Sequence, residues 1–195
     1  MPATHINRDR IMDRLDRLDD TYGVDDVADE VVDVDPDRFP EEIRMSRDGY
    51  DGSSYVWIVR SPGAAPPLTE SMPDHAGNDR DQVLMILGRG GDQWGIPGGG
   101  REGEETYEEA ALREVTEETN IGCQITEVAR VRHEQRTAPG FDELLHNLRV
   151  VFDGRYEDGT IAIQPGELDG AAWLAERPRK LHPLVAPVAE EWFGD

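Results

Sequence analysis

The sequence predicts an α/β fold, a mixed sheet lying between helices, and three observations carry that prediction. Apolar runs rich in β-favouring residues stand on both sides of one sharply bounded helix. That helix has its own start and stop signals. A second helical stretch lies close to the C-terminus, so strands and helices alternate rather than segregate.

Taken in order, Ile11, Met12, Leu15 and Leu18 fall on one face of an amphipathic helix. Residues 24–54 are acidic and interrupted by Pro36 and Pro40, so they read as an extension of irregular or short elements. Residues 1–54 are therefore set apart as an N-terminal acidic extension with one helix, and 55–195 as the domain proper. Tyr55–Arg60 and Gln82–Arg89 are strands. Between them, 61–81 is a Pro- and Gly-rich loop, long enough to be functional or mobile.

A glycine-rich turn, Gly98 to Gly103, leads into the central helix. Thr106 and Glu109 have the spacing of a capping box with Thr106 as N-cap, and the helix runs to about Thr119. Asn120 and Gly122 suit a left-handed C-terminal cap. Gln124–Arg136 and Leu144–Phe152 are strands, Asp153–Gly159 reads as a turn, and Ala171–Leu174 as a short closing strand. A last helix spans about Leu184–Phe193 with Pro187 in its first turn.

Composition narrows the function. The chain has 195 residues, 42 acidic against 20 basic, and a net charge of −22. A basic face for a nucleic-acid backbone is missing, so nucleic acid is not an expected partner. No apolar run approaches the roughly 20 residues that cross a bilayer, and the first 20 residues lack the apolar centre of an export signal, which gives a cytoplasmic expectation with no membrane partner. One cysteine, Cys123, rules out an intrachain disulfide and a thiolate zinc cage, and its neighbours Ile121 and Ile125 suit a packed residue. Lys180 is the only lysine. Dense carboxylates with lysine avoided resemble the proteins of halophilic archaea, since molar salt shortens the Debye length to about 3 Å and screens the self-repulsion.

The chemistry gathers on the central helix. Glu114, Glu117 and Glu118 stand at i, i+3 and i+4, so their carboxylates share one narrow arc. With Glu114 at zero, Glu117 lies at about −60° and Glu118 at about +40°, while Ala111, Val115 and Leu112 span roughly 60–160° as the buried stripe. Ala110 lies within the acidic arc and leaves space above it. Three like charges so placed destabilise a bare helix, and a hard divalent cation reverses the sign.

Written as a pattern, Gly99, Glu105, Arg113, Glu114, Glu117 and Glu118 resemble the Nudix box, preceded by Trp94-Gly95-Ile96-Pro97-Gly98. Asn120 replaces the family's usual glycine, and asparagine tolerates the same left-handed backbone. At roughly one chance in ten per position, six agreements come to about one in a million per starting point. The resemblance implies the Nudix fold, an α/β/α sandwich with a mixed central sheet. It implies Mg²⁺, with Mn²⁺ as a substitute, held by Glu114, Glu117, Glu118 and the carbonyl of Gly99. It further implies that Arg113 pairs with Glu105 and orients the carboxylates.

The implied activity is hydrolysis of the diphosphate of a nucleoside diphosphate linked to another moiety, ADP-ribose or a nucleotide sugar in first place. The alternatives are a house-cleaning nucleoside triphosphate pyrophosphohydrolase and a nucleotide sensor without turnover. Pro139 stands near, but off, the place where ADP-ribose-cleaving members carry a proline. The general base is Glu114, Glu134, Glu143 or Glu167. Residues 1–54 match no recognised unit and are expected to cover a homodimer interface, a substrate lid or the sheet edge.

Competing motifs are weaker. Gly98-x-Gly100-x-x-Gly103 has the dinucleotide spacing, but Glu102, Glu104 and Glu105 oppose a pyrophosphate there. His133-Glu134 opens like a zinc-protease motif whose second histidine is missing at Thr137. His146 and His182 have no partner at ligand spacing and read as structural. Trp57, Trp94, Phe141 and Trp173 read as core aromatics rather than a base-stacking set.

Overall fold

The computed structural model of the chain describes residues 3–64 and 79–194. Most of the proline-rich loop predicted at 61–81 therefore lies outside the described residues. The chain runs β1 (Thr4–His5), α1 (Arg8–Tyr22), β2 (Val27–Asp33), α2 (Phe39–Arg47), β3 (Gly52–Arg60), β4 (Gln82–Gly88), β5 (Trp94–Gly95) and β6 (Gly98–Gly100). It continues with α3 (Tyr107–Thr119), β7 (Ile121–Thr137), β8 (Glu143–Gly159), β9 (Leu168–Leu174) and α4 (Ala186–Phe193). Parallel and antiparallel pairings both occur, giving the mixed sheet with helices that the sequence predicts. No helix among the described residues is long and apolar enough to cross a membrane.

These elements form two compact units. The first combines the described part of 1–54 with 99–110 and 128–151. Here β2 runs parallel to β7, Val27 opposite Val131 through Asp33 opposite Thr137, and β1 runs parallel to β8. The extension is more regular than its acidic composition suggests. Val27, Val31 and Val32 supply β-branched residues for β2. Pro40 sits in the first turn of α2, where its missing N–H costs nothing, so it starts the helix rather than breaking it. Phe39 and Ile43 then bury against Val34, Ala138 and Leu145. Ile11 and Leu18 of α1 are fully buried, as their spacing predicts.

The second unit combines 55–98, 111–127 and 152–195. Strand β4 pairs antiparallel with β3 at Val59–Val83, with β9 from Val83–Leu174 onward, and with β5 at Ile86–Gly95. Trp57 is buried and meets Trp192 and Phe193 of α4 edge-on, both at 6.0 Å between ring centres. Pro187 lies in the first turn of α4, as predicted.

Two local expectations need correction. Asp153–Gly159 is not a turn, because β8 continues through it to Gly159. Gly154 is there for close approach: a Cβ would stand 2.6 Å from a methyl of Val56. Gly122 is not part of the helix cap either, since it lies in β7. Asn120 alone carries the left-handed turn, with φ 58°, and its Nδ2 donates to the Thr160 carbonyl.

Candidate active site

The central helix starts as its sequence requires. Glu109 N–H donates to Thr106 Oγ1 at 3.2 Å while Thr106 N–H donates to Glu109 Oε2 at 2.8 Å, a complete capping box. At the other end, Asn120 N–H returns to the Thr116 carbonyl at 2.9 Å. Both termini are thus satisfied by local residues, which fixes where the helix begins and ends.

That rotation differs from the one expected. Ala110, Ala111 and Val115 are fully buried, whereas Leu112 is 37% exposed. The buried face is therefore centred closer to the acidic arc, and Glu114 and Glu118 share it instead of standing beside it. Ala110 does not leave open space; it packs. The physical cause is that a short apolar stripe leaves helix phase underdetermined until neighbouring elements choose it.

The consequence is electrostatic. Burial pushes the Glu118 carboxyl up to about 7; the Gly98 N–H, which donates to Oε2 at 3.0 Å, pulls it back, and the charges of Glu114 and Glu167 add to the rise. Burial also raises Glu114, opposed by Arg113 and reinforced by Glu117 and Glu167. Arg113 Nη1 donates to Glu114 Oε1 at 2.8 Å and to Glu117 Oε2 at 3.1 Å. Glu167, a sequence candidate for the base, is thus electrostatically coupled to both Glu114 and Glu118. Its own loop is held by Arg89 N–H on its carbonyl at 2.9 Å.

The remaining candidates are placed differently. Glu134 is almost fully buried; burial would raise its carboxyl, but Arg149, Arg136 and Arg132 hold it below the ordinary range, so it is committed to ion pairing. Glu143 opens β8 opposite Thr4. Glu105 accepts the Glu102 N–H at 3.0 Å within its own turn. Cys123 is buried, its thiol pushed up to about 12, in keeping with a packed residue.

The glycine turn has a holder that sequence patterns did not reveal. Asp51 and Arg101 are both fully buried, with Arg101 Nε donating to Oδ1 at 2.7 Å. The same guanidinium donates to the carbonyls of Gly49, Gly103 and Glu105. Arg14 approaches Asp51 Oδ2 at 2.5 Å. Tyr107 OH donates to the Asp51 carbonyl at 3.0 Å. Nothing local in the sequence marks Asp51, which lies 50 residues from its partner.

A cavity of about 390 Å³ lies beside Gly98, lined by Tyr55, Ile86, Arg89, Ile96, His182 and Leu184 among others. His182, expected to be structural, is one of its walls, and its N–H donates to the Trp94 carbonyl at 2.8 Å.

The fit of a divalent cation rests on donor chemistry. Hard carboxylate oxygens suit Mg²⁺, and two of them bear raised proton affinity that a cation would replace. Among the described residues, no three acidic, histidine or cysteine groups are drawn up at metal-ligand geometry. Arg113 donates to one carboxylate oxygen of Glu114 and to one of Glu117.

Comparison with known proteins places the chain among its relatives. Residues 77–190 match the NUDIX domain family. A protein of Mycobacterium tuberculosis named as an 8-oxo-dGTP diphosphatase is 30% identical over 95 residues, 48% of this chain and 44% of that one. The chain thus spans less than half the length of that relative. A Bacillus subtilis protein, also named as an 8-oxo-dGTP diphosphatase, is 28% identical over 118 residues, covering 60% of this chain and 72% of its own. A NUDIX-family hydrolase from Clostridium perfringens shares the fold with a TM-score of 0.50 at 15% identity, over 73% of this chain and 95% of that one.

Proposed function

The chain belongs to the NUDIX family, and from that premise we propose that it is a Mg²⁺-dependent pyrophosphohydrolase acting on a nucleoside diphosphate joined to a second moiety. The observation that supports this best is the half-buried pair Glu114 and Glu118, with Glu117 one turn away and Glu167 coupled to both.

In this reading Glu114, Glu117, Glu118 and the carbonyl of Gly99 hold Mg²⁺, or Mn²⁺ in its place. When bound, the ion supplies charge neutralisation at the phosphoryl oxygens and lowers the pKa of an attacking water. Gly98 N–H fixes one Glu118 oxygen and leaves the other available. Arg113, which donates to Glu114 and Glu117, would also pair with Glu105 and so orient the carboxylates and steady the turn against the helix. Glu167 is the preferred general base and Glu114 the alternative, because Glu134 is already neutralised by arginines. The cavity beside Gly98 receives one of the substrate's organic substituents.

ADP-ribose or a nucleotide sugar is the favoured substrate. Hydrolysis of an oxidised nucleoside triphosphate is the second reading, supported by the names of the two relatives. A sensor without turnover is disfavoured because every carboxylate of the box is present. In this reading the protein is a cytoplasmic enzyme acting on a small-molecule nucleotide, and its extension covers a homodimer interface, a substrate lid or the sheet edge. Purified protein is assayed with Mg²⁺ in molar KCl against ADP-ribose, UDP-glucose and 8-oxo-dGTP. Phosphate release that persists unchanged in Glu117→Gln would remove the catalytic assignment.

A further inference from the structure

Two neighbouring side chains at the start of α3 are gripped by the extension, and both contacts lie within the first unit. Tyr107 is fully buried, and its OH donates to the Asp51 carbonyl at 3.0 Å. Glu108 accepts from both Nη atoms of Arg17, at 3.1 and 2.6 Å, a bidentate pair reaching across from α1. The Glu108 side chain is only 17% exposed, so this is not the solvated surface pair whose contribution is close to nothing. Burial would raise its carboxyl, yet donation from Arg17 and Tyr22 holds it below the ordinary range.

Arg17 belongs to a row. Arg10, Arg14 and Arg17 stand at i, i+4 and i+7 of α1, on one face beside the buried Ile11 and Leu18. In a chain with 42 acidic and 20 basic residues this gathers the scarcer charge in one place, and each member meets another element. Arg10 Nη2 donates to the Ser46 carbonyl at 2.7 Å, Arg14 approaches Asp51, and Arg17 takes Glu108. Asp51 joins the row to Arg101, and through it to the carbonyls of Gly103 and Glu105 just ahead of α3.

The apolar stripe of α3 leaves its rotation open, as the outward Leu112 shows. Adjacent residues leave a helix about 100° apart, so Tyr107 and Glu108 are held from two directions. Two anchors at that angle define rotation about the axis, whereas one alone permits rocking about its own contact. Glu114 and Glu118, seven and eleven residues on, fall within about 20° either side of Tyr107. The anchored face is therefore the face that carries those carboxylates.

We propose that α1 is a positioning element for the metal site, in which Arg17, acting through Glu108, and Tyr107 set the rotation of α3 and so the aim of Glu114 and Glu118. The inference rests on the reading of those carboxylates as metal ligands. Arg17 and Tyr107 act through the helix and touch neither ion nor substrate, as groups behind a ligand set commonly do.

Mn²⁺ titration of the full-length protein without substrate, followed by the electron paramagnetic resonance signal of the free ion, reads the aim of the carboxylates without turnover. Molar KCl in the buffer screens the long-range effect of each charge change. Arg17→Gln, Glu108→Gln and Tyr107→Phe each weaken Mn²⁺ binding by about fivefold or more. The double variant Arg17→Gln/Glu108→Gln is no weaker than either single one, because the two residues act as one pair. A merely structural role lowers the melting temperature and leaves Mn²⁺ affinity within about twofold of wild type; that result in Arg17→Gln or Tyr107→Phe, or additive losses in the double variant, overturns the proposal. Should Tyr107→Phe not fold, Arg17→Gln, at a side chain 39% exposed, decides alone. If the wild type takes up no Mn²⁺ at millimolar concentration, the metal reading falls and this inference with it. If the wild type binds and its variants bind as tightly, the inference alone falls.

Discussion

Arg101 and Asp51 form an ion pair in which neither side chain is exposed, Nε to Oδ1 2.7 Å, at the end of the glycine turn. Three backbone carbonyls, those of Gly49, Gly103 and Glu105, accept from the same guanidinium. The segment that carries Glu105 is therefore anchored by a charge buried in the extension, and the extension contributes to the shape of the turn as well as to its own core.

Removing one member of such a pair leaves the other charged and buried. Asp51→Asn is expected to destabilise the protein by about 3–5 kcal/mol. Urea unfolding in molar KCl measures it, and a loss under about 1 kcal/mol would show that the three carbonyls suffice to hold Arg101.

Glu118→Gln separates stability from chemistry. Glutamine retains an oxygen for the Gly98 N–H, while the carboxyl it replaces is raised to about 7, chiefly by burial. A carboxyl raised in the folded state contributes stability below its unfolded pKa and loses it as pH climbs through the folded value. At pH 8 the wild type carries that penalty, so metal-free Glu118→Gln is expected to be more stable by about 1–2 kcal/mol, discounted for partial exposure. Its hydrolysis rate falls by at least about 100-fold, and Mg²⁺ no longer raises its melting temperature. A variant both less stable and fully active would contradict the placement.

The histidine chain sets an acid limit. His5 Nδ1 meets His146 Nε2 at 2.8 Å, His146 Nδ1 meets His133 Nε2 at 2.9 Å, and His133 Nδ1 meets Asp29 at 2.7 Å. Burial, then the charges of His133, His5 and Arg8, lowers His146 to about 4. A depressed histidine contributes its stability fully above the unfolded pKa near 6.5 and loses it as pH falls toward 4. Between pH 7 and pH 5 this site is expected to cost about 2 kcal/mol. Denaturation at both pH values compares wild type with His146→Gln, whose decline should be smaller by that amount; parallel declines would refute it.

Salt dependence follows from the net charge of −22. Carboxylate repulsion is expected to make the folded state less stable in dilute buffer than in 2 M KCl, with a melting temperature higher in salt by on the order of 10 °C. Equal melting in both buffers would dispose of the halophilic reading.

How much of this was legible in the residues depends on distance along the chain. The helix Tyr107–Thr119 was determined locally, because Thr106, Glu109 and Asn120 satisfy its ends within one turn of themselves. The spacing of Glu114, Glu117 and Glu118, and the box to which they belong, is likewise written in consecutive residues. The tertiary structure decided which way that helix faces, turning Leu112 outward and burying Ala110, since a phase set by packing is not encoded in the stripe alone. It converted Asp153–Gly159 from an apparent turn to strand, because Gly154 answers to Val56 rather than to its neighbours. It also chose the partners of Asp51, Glu134 and His146, each of which pairs with residues between 2 and 141 positions away. Periodicity and capping act over a few residues and leave a pattern in sequence. The pairing of buried charges and the closing of cavities act across strands and helices brought together by folding, and no local pattern records them.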